Sequence, residues 1–222
     1  MDQNWKVCLT ELWKKEKWYW LGAVVIGVMF SLIFGAHWTK GYSEMIQNGI
    51  AGKVVRFHVL ANSDTEADQS LKLAVRDKVL QEYGDLLMEC ESKADTLAAL
   101  EKVQQEICKT AAEVVTEAGY RYPVRVSIAR EEFPFKKYGD LIFPAGVYDA
   151  LRIEIGEAEG QNWWCVLYPQ MCFVDAAWGY TTEESHRRLE NTLTEEEFLI
   201  VSALEQEASL PKIKLKIVEL WK

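Results

Sequence analysis

A group of polar side chains lies within and just after the stretch RFHVLANSD (56–64). It contains His58, Ser63 and two carboxylates, Asp64 and Asp68. Histidine, serine and aspartate are the residue types of a hydrolase triad, so this group could do nucleophilic chemistry. Ser63 and Asp64 also stand where a helix N-cap belongs, and oxygens there accept hydrogen bonds from unpaired backbone N–H groups. A third use is a turn that binds a partner, with His58, Asn62 and Asp64 as the candidate binding residues.

Motifs of known enzyme and metal sites are absent from the sequence. There is no GxSxG elbow, no HExxH and no phosphate-binding glycine loop. A zinc site would have to combine His58 and His186 with the cysteines of residues 165–172, and no CxxC spacing supports one. The sequence therefore predicts no catalytic residue, no metal and no cofactor.

The stretch GQNWWCVLYPQMCF combines two adjacent tryptophans with two cysteines. As a strand it would place Trp163 and Trp164 on opposite faces, each among apolar neighbours. A strand that is apolar on both faces is buried on both faces, which favours a core strand over an exposed sugar-binding platform. Cys165 and Cys172 would close a short loop over a proline and could form a disulfide, worth about 2.5 kcal/mol by loop entropy.

The run WYWLGAVVIGVMFSLIFGAHW (18–38) contains no Lys, Arg, Asp or Glu. As a helix it is long enough to cross a bilayer, and its aromatic ends would lie in the two headgroup regions. Lys14, Lys15 and Lys17 precede it, which predicts a cytoplasmic N-terminus. An uncleaved anchor and a cleaved signal peptide both fit, and both place residues 39 onward outside the cytoplasm. A buried core helix is the third alternative.

The chain is acidic, with a formal net charge of −9. Because four lysines and three acidic residues precede the apolar run, the exported part carries about −10. Such a charge repels nucleic acid and anionic lipid headgroups, so the expected partners are proteins or neutral ligands. Four cysteines lie in this part and can pair in an oxidising compartment, with Cys90 and Cys108 as a second candidate pair.

The chain divides by composition into four parts. We expect a cytoplasmic N-terminus at 1–17, the transmembrane anchor or signal segment at 18–38, a stalk or linker at 39–52 and an extracytoplasmic domain at 53–222.

Hydrophobic periodicity within the domain predicts the secondary structure. A strand at 54–60 precedes two antiparallel helices, the first with Ser63 and Glu66 as a capping box and the second ending near Gly119. A strand beginning at Val124, a hairpin, a helix at about 194–208 and a last strand at 212–220 follow. The predicted fold is an α+β domain with a mainly antiparallel sheet packed by helices, preceded by one N-terminal transmembrane helix.

The stretch KYGDLIFPA is bounded by glycine and proline and contains large apolar residues. If this loop is exposed, Tyr138 and Phe143 are candidate anchors for a protein partner. The alternative is that both side chains cover an edge of the core, as large apolar loop residues usually do.

Three stretches of the sequence are distinctive: RFHVLANSDTEADQSLKLAVRDKVL (56–80), FPAGVYDALRIEIGEAEGQNWWCVLYPQMCFVD (143–175) and the closing KIVELWK. Together they closely resemble stage II sporulation protein R of endospore-forming bacteria. The resemblance implies a signalling protein that is made in the forespore and exported toward the mother cell. There such proteins activate a membrane-embedded aspartic protease, which processes the precursor of an early mother-cell sigma factor.

Two other functions compete with this one. A hydrolase would use His58 with Asp64 or Asp68 to cut peptide or glycan in the intermembrane space. An anchored wall-binding module would need no chemistry at all. The sequence favours the signalling ligand only through the family resemblance.

Overall fold

The computed structural model describes residues 4–172 and 183–207, with side chains described at 19–172, 183–184 and 186–202. The chain divides into two compact units, residues 1–46 and 47–222. Five helices and six strands lie in the described residues. They are α1 (Asn4–Lys53), β1 (Val55–Leu60), α2 (Glu66–Met88), α3 (Lys93–Glu117), β2 (Val124–Phe133), β3 (Lys136–Tyr138), β4 (Leu141–Phe143), β5 (Gly146–Ile155), β6 (Asn162–Tyr168), α4 (Glu183–Thr192) and α5 (Glu195–Glu207).

Helix α1 continues without a break from Asn4 to Lys53. From Tyr19 onward it is long and apolar enough to cross a membrane. Its most apolar 18 residues have a mean hydropathy of 2.0, and none of them is buried. A membrane anchor and a signal sequence share this length and composition. Residues 39–52, the predicted stalk, are helical.

The main sheet has four strands in the order β2-β5-β1-β6. β1 pairs in parallel with β5, whereas β2 with β5 and β1 with β6 are antiparallel. A second sheet consists of the antiparallel strands β3 and β4. The predicted α+β fold with a mainly antiparallel sheet is therefore confirmed, and the one parallel pair makes the main sheet mixed.

The predicted hairpin of β5 and β6 is wrong, because β1 lies between the two strands. Phe57 is opposite Leu151 on one side and Cys165 on the other. The loop from β5 to β6 therefore crosses the end of β1, where a Cβ at Gly160 would overlap the Ser63 carbonyl. Two alternating strands joined by a short loop are the usual sequence signal for a hairpin. Insertion of a strand from far earlier in the chain leaves no such local signal.

One face of the main sheet packs against α2 and α3. Phe57, Ile153 and Cys165 point to this face from three neighbouring strands and are fully buried. Val75 of α2 and Ile107 of α3 are fully buried against them. Each such side chain contributes about 1.5–3 kcal/mol through burial. The two predicted helices are confirmed, and Gly119 after α3 has the positive φ, +85°, that a C-terminal glycine supplies.

The other face of the sheet, called here the second face, is covered by β3, β4 and α5. Helix α5 packs against β4, and Phe143 of β4 and Tyr148 of β5 are fully buried. Strand β6 is buried on both sides, as its sequence predicts: the adjacent Val166 and Leu167 point to opposite faces and are each 1% exposed. Its two tryptophans are half-buried.

The helix caps differ from those predicted. The N-cap of α2 is Thr65, whose hydroxyl accepts a hydrogen bond from the Asp68 N–H, so the predicted capping box of Ser63 and Glu66 is wrong. A capping box does begin α5, where Thr194 Oγ1 and the Glu197 carboxylate each accept a hydrogen bond from the other residue's N–H, at 3.3 and 2.8 Å. Helix α5 confirms the helix predicted there, whereas α4 was not predicted. The predicted last strand lies outside the described residues.

Candidate functional site

The turn after β1 is organised around the carboxylate of Asp68, in the first turn of α2. Asn62 Nδ2 and Ser63 Oγ donate hydrogen bonds to the same oxygen, Oδ2, at 2.8 and 2.6 Å. These bonds, the one from Asn62 first, favour the charged carboxylate and hold the pKa of Asp68 below its usual range. Because both donors belong to the turn, Asp68 fixes the conformation of the turn.

The loop between β5 and β6 supports the turn from the other side. Asn62 Oδ1 accepts a hydrogen bond from the Glu157 N–H at 3.1 Å, and Asp64 Oδ1 accepts one from the Gln161 N–H at 2.6 Å. Gly156 has a φ of +64°, and a Cβ there would overlap the Asn62 amide. Asn62 and Asp64, the candidate binding residues of this turn, thus hold the loop, while Asp64 is also exposed.

His58 lies in the middle of β1, on the second face of the sheet, and is 3% exposed. Its ring stacks on Trp164, with centroids 4.9 Å apart and planes at 10°, and lies 5.0 Å from Phe133. Burial, followed by the positive charges of Arg152 and Arg56, lowers the pKa of His58 to about 4. The imidazole is therefore neutral at neutral pH.

The hydrolase arrangement is not formed within the described part of the chain. Neither ring nitrogen of His58 has a hydrogen-bond partner there. Ser63 Oγ donates to Asp68, and Asp64 accepts its bond from the loop after β5. A nucleophile, a base and an orienting carboxylate must contact one another in sequence to work as a triad. His58, Ser63, Asp64 and Asp68 are therefore not arranged as a triad.

Arg56 is the residue around which the second face packs, and it is fully buried. Its guanidinium carbon lies 4.6 Å from the ring centre of Phe133, 5.2 Å from that of Phe143 and 5.1 Å from that of Tyr148. Tyr138 adds a fourth ring at 5.7 Å. Contacts between a desolvated cation and an aromatic face contribute about 2 kcal/mol.

The polar contacts of Arg56 complete its surroundings. Nε donates to the Cys165 carbonyl at 3.2 Å and Nη2 donates to the Tyr138 hydroxyl at 2.9 Å. Nη1 has no hydrogen-bond partner among the described residues. Both acceptors are uncharged, so the aromatic faces add the remaining favourable contacts of the positive charge.

Of the two alternatives for Tyr138 and Phe143, the structure shows the second: both side chains cover an edge of the core and neither is exposed. They are 6% and 0% exposed, and their rings meet edge to face at 6.0 Å. The reason is Arg56, whose buried guanidinium is surrounded by the aromatic faces and the hydroxyl that this segment supplies. Sequence reasoning missed Arg56, although one cation in the apolar strand VVRFHVL was the signal for it. The structure thus brings His58, Tyr138 and Phe143 to the second face, and Asn62 and Asp64 to the carboxyl end of β1.

The turn after β6 is closed by a disulfide between Cys165 and Cys172, whose Cα atoms are 5.7 Å apart. Inside the turn, Gln170 is 4% exposed. Its Nε2 donates to the carbonyls of Leu87 and Cys90 at the end of α2, at 3.1 and 2.8 Å. Its Oε1 accepts a hydrogen bond from Arg188 of α4 at 2.8 Å. The turn therefore joins the end of α2 to α4.

The predicted second pairing is wrong, since Cys90 and Cys108 are free thiols. Across residues 4–172 and 183–207, no three His, Cys, Asp or Glu side chains form a group that could hold a metal ion.

Comparisons with known proteins give one consistent description. The family model described as Stage II sporulation protein R matches residues 51–178 of this chain. Stage II sporulation protein R of Bacillus subtilis (strain 168) is 35% identical over 135 residues, which cover 61% of this chain and 60% of that protein. No solved structure matches the chain.

Proposed function

Because the chain belongs to the stage II sporulation protein R family, we propose that it is a sporulation signal that activates a membrane-embedded aspartic protease. The activated protease then processes the precursor of the mother-cell sigma factor. The observation that carries this proposal is the family match, which includes β1, both helices of the core and the disulfide turn. The chain matches only 60% of the length of the B. subtilis relative. The activity and the partner of this chain are therefore proposals.

The proposed location is the forespore membrane, with the domain in the space facing the mother cell. Helix α1 is long and apolar enough to span it, and Lys14, Lys15 and Lys17 favour a cytoplasmic N-terminus. The chain is then a single-pass membrane protein, or a secreted one if the segment is cleaved. In both forms the domain meets the extracytoplasmic part of a protease in the opposite membrane.

The proposed mode of action is binding. The side chains that a hydrolase would use make other contacts. His58 stacks on Trp164, and Asp68 accepts hydrogen bonds from Asn62 and Ser63. The negative charge of the exported part disfavours nucleic acid and anionic lipid surfaces. A protein partner whose active state the domain stabilises fits both features.

Complementation of sporulating cells tests this proposal. Cells that lack the chain receive the full chain, or the chain without residues 18–38, and the sigma-factor precursor is followed by immunoblot. We expect the precursor to be shortened only with the full chain, since export brings the domain to the protease. Equal processing without residues 18–38 would contradict export, and no processing with the full chain would contradict the function.

The hydrolase alternative is tested in the same cells with His58→Gln and Asp68→Asn. A binding protein that stays folded, with the turn after β1 intact, keeps its signal with either variant, because neither side chain takes part in chemistry. Loss of all processing by both variants, with melting temperatures like that of the parent, would favour the hydrolase.

A further inference from the structure

Strand β2 ends the main sheet on one side, and the direction of its backbone groups can be assigned. The Gly156 N–H donates to the Pro123 carbonyl at 2.9 Å, just before β2 begins. In an antiparallel pair, residues that bond across alternate with residues whose N–H and C=O point away. Because residue 123 bonds toward β5, the odd residues of β2 do so too. The N–H and C=O of the even residues point outward.

Helix α3 covers the outer backbone groups in the first half of β2. Cys108 Sγ lies 3.6 Å from the Val124 carbonyl, and Gln104 Nε2 donates to the Val126 carbonyl at 2.9 Å. These two side chains contact the outward carbonyls of Val124 and Val126, so this half of the edge is covered.

Within residues 4–172 and 183–207, no side chain bonds in this way to the second half of β2. The outward N–H and C=O groups of Ile128, Arg130 and Glu132 have no hydrogen-bond partner among the described residues. Arg130 and Glu132 are exposed and Ile128 is half-buried. Five residues of strand therefore present three donors and three acceptors at regular spacing.

The opposite edge of the sheet is closed differently, which makes the open half of β2 distinctive. At β6 the Val166 carbonyl accepts hydrogen bonds from the N–H groups of Met171 and Cys172, both at 3.2 Å. The disulfide turn thus folds back over that edge. Unprotected strand edges are templates for pairing with another chain.

We propose that the edge of β2 at residues 128–132 binds an extended segment of the partner protein by strand addition. This inference rests on the proposed function, because it takes the protease as the partner. Main-chain hydrogen bonds give affinity in this mode, and alternate side chains give specificity. The domain would thereby hold the protease through an added strand of its main sheet.

The side chains beside this edge define the chemistry of the segment. Ile128, Arg130 and Glu132 lie on one face, and Ile128 packs against the core. Arg130 is opposite Asp149 on β5, but that carboxylate is paired with Lys93 at 2.6 Å. The charge of Arg130 is therefore available to the partner. The matching segment has an apolar, an acidic and a basic residue at alternate positions, opposite Ile128, Arg130 and Glu132 respectively.

A second copy of this chain fits the edge less well. Antiparallel self-pairing about Arg130 would place two guanidinium groups opposite each other, and like charges directly opposite are destabilising. Each exported domain also carries a net negative charge, which adds repulsion between copies.

Residue-resolved amide hydrogen exchange tests the proposal. The full chain in lipid nanodiscs is compared with and without the membrane-embedded aspartic protease, also in nanodiscs. We expect exchange at Ile128, Arg130 and Glu132 to slow by about tenfold or more when the protease is present. The N–H groups of Ser127, Ala129 and Glu131 already bond to β5, so they are internal controls that start protected.

The other outcomes overturn the proposal in distinguishable ways. If amide exchange slows only on other surfaces while the sigma-factor precursor is still processed, the protease does not bind this edge. The proposed function is then unaffected. Slowing that depends on the concentration of the chain alone assigns the edge to a second copy. No slowing anywhere, together with no processing in the same nanodiscs, refutes the proposed function and this inference with it.

A pair of variants separates the backbone from the side chain at Arg130. Arg130→Pro removes one outward N–H and no bond to β5, and proline is tolerated on such an edge. We expect it to reduce precursor processing tenfold or more while exchange at Ser127 stays slow. Arg130→Ala keeps the N–H and should reduce processing less. Full processing by a folded Arg130→Pro protein would overturn strand addition at this edge.

Discussion

The most unusual single residue is Arg56, a fully buried cation whose two hydrogen bonds run to uncharged oxygens. Removing a charge from water is costly unless nearby groups replace its hydration. Here the replacement is a set of aromatic faces, two of them contributed by the β3–β4 pair. The sheet of β3 and β4 therefore covers Arg56, and its contacts with Arg56 hold it on the second face.

A matched pair of tyrosine variants tests this arrangement. Tyr138→Phe removes the hydroxyl that accepts from Arg56, leaving a charged buried donor unpaired, and should lower the free energy of unfolding by about 1.5–3 kcal/mol. Tyr148→Phe removes a hydroxyl that donates to the Pro144 carbonyl and contacts the Gln47 amide, both uncharged groups, and should cost about 0.5–1.5 kcal/mol. Chemical denaturation measures the free energy of unfolding of both variants. Equal losses would contradict the conclusion that the Tyr138 hydroxyl stabilises the buried charge of Arg56.

The pKa of His58 predicts a pH dependence of stability. The folded pKa of about 4 lies below the ordinary value of 6.5, so between these values the unfolded chain binds more protons. Stability is then highest above pH 6.5 and falls as the pH drops toward 4. The loss between pH 6.5 and about pH 5 should be about 1–2 kcal/mol.

His58→Gln is the variant that measures this effect, because it removes the titrating group. Denaturation midpoints of the variant should change less between pH 6.5 and 5 than those of the parent. His186→Gln is the matched control for removing an imidazole elsewhere, since His186 is half-buried and lies in α4. The same pH slope in the parent and His58→Gln would contradict a buried neutral imidazole.

The sequence predicts some of these residue environments and not others. The burial of β6 on both faces follows from its continuous apolar pattern, because Val166 and Leu167 alternate between faces. The environment of Arg56 depends on rings that arrive from residues 133–148, and no local pattern encodes that contact. The burial of Tyr138 and Phe143 depends on the same contacts, so the sequence leaves both alternatives for their loop open.

At the scale of elements, the last turns of α1 are held by the N-terminus of α5. Lys53 Nζ lies 2.6 Å from the Glu197 carboxylate, which is also the capping acceptor of α5. A Cβ at Gly49 would overlap that carboxylate, whereas a Cβ at Gly52 would meet no atom within 4 Å. A side chain therefore fits at position 52 but not at position 49.

Two glycine variants turn this difference into a prediction. Gly52→Ala should raise the free energy of unfolding by about 0.5 kcal/mol, because alanine loses less backbone entropy in a helix. Gly49→Ala should lower it by about 1–2 kcal/mol, because the Glu197 carboxylate must leave its cap and ion pair. Thermal melts of the full chain in detergent compare them, and the same sign for both would contradict the packing of α1 on α5.

The disulfide turn allows a second prediction at this scale. Cys165→Ser with Cys172→Ser should lower the free energy of unfolding by about 2–3 kcal/mol through loop entropy. The tie between Gln170 and the end of α2 should loosen with it, so the amide of Cys90, which bonds the Leu87 carbonyl, should exchange faster. The double variant Cys90→Ser with Cys108→Ser is the control and should behave like the parent in both respects.

Most elements are predictable from periodicity, because β1, α2, α3, β5 and β6 each have a consistent apolar pattern. Their order in the sheet is not, since β1 enters between β5 and β6 from almost 100 residues earlier. The three-residue strands β3 and β4 are too short for an alternation to be recognised. The cap of α2 is displaced because Ser63 bonds Asp68 through its side chain, leaving Thr65 to cap the helix.

At the scale of the whole molecule, the chain joins an apolar N-terminal helix to an acidic domain. If the helix is an uncleaved anchor, the full-length protein stays with membranes through high-salt and carbonate washes, because the apolar span remains in the bilayer. Immunoblots of washed membranes measure this. Recovery of a soluble form that begins shortly after Phe34 would identify the segment as a signal peptide.

As the proposed signal, this chain alone should activate the protease from outside the cytoplasm. The most direct measurement is to express the full chain, the membrane-embedded aspartic protease and the sigma-factor precursor together in cells that do not sporulate. We predict that the precursor is shortened when all three are present and stays intact when this chain is omitted. If the precursor stays intact although all three proteins are produced and the chain and the protease reach the membrane, this chain does not activate the protease and the proposed function is contradicted.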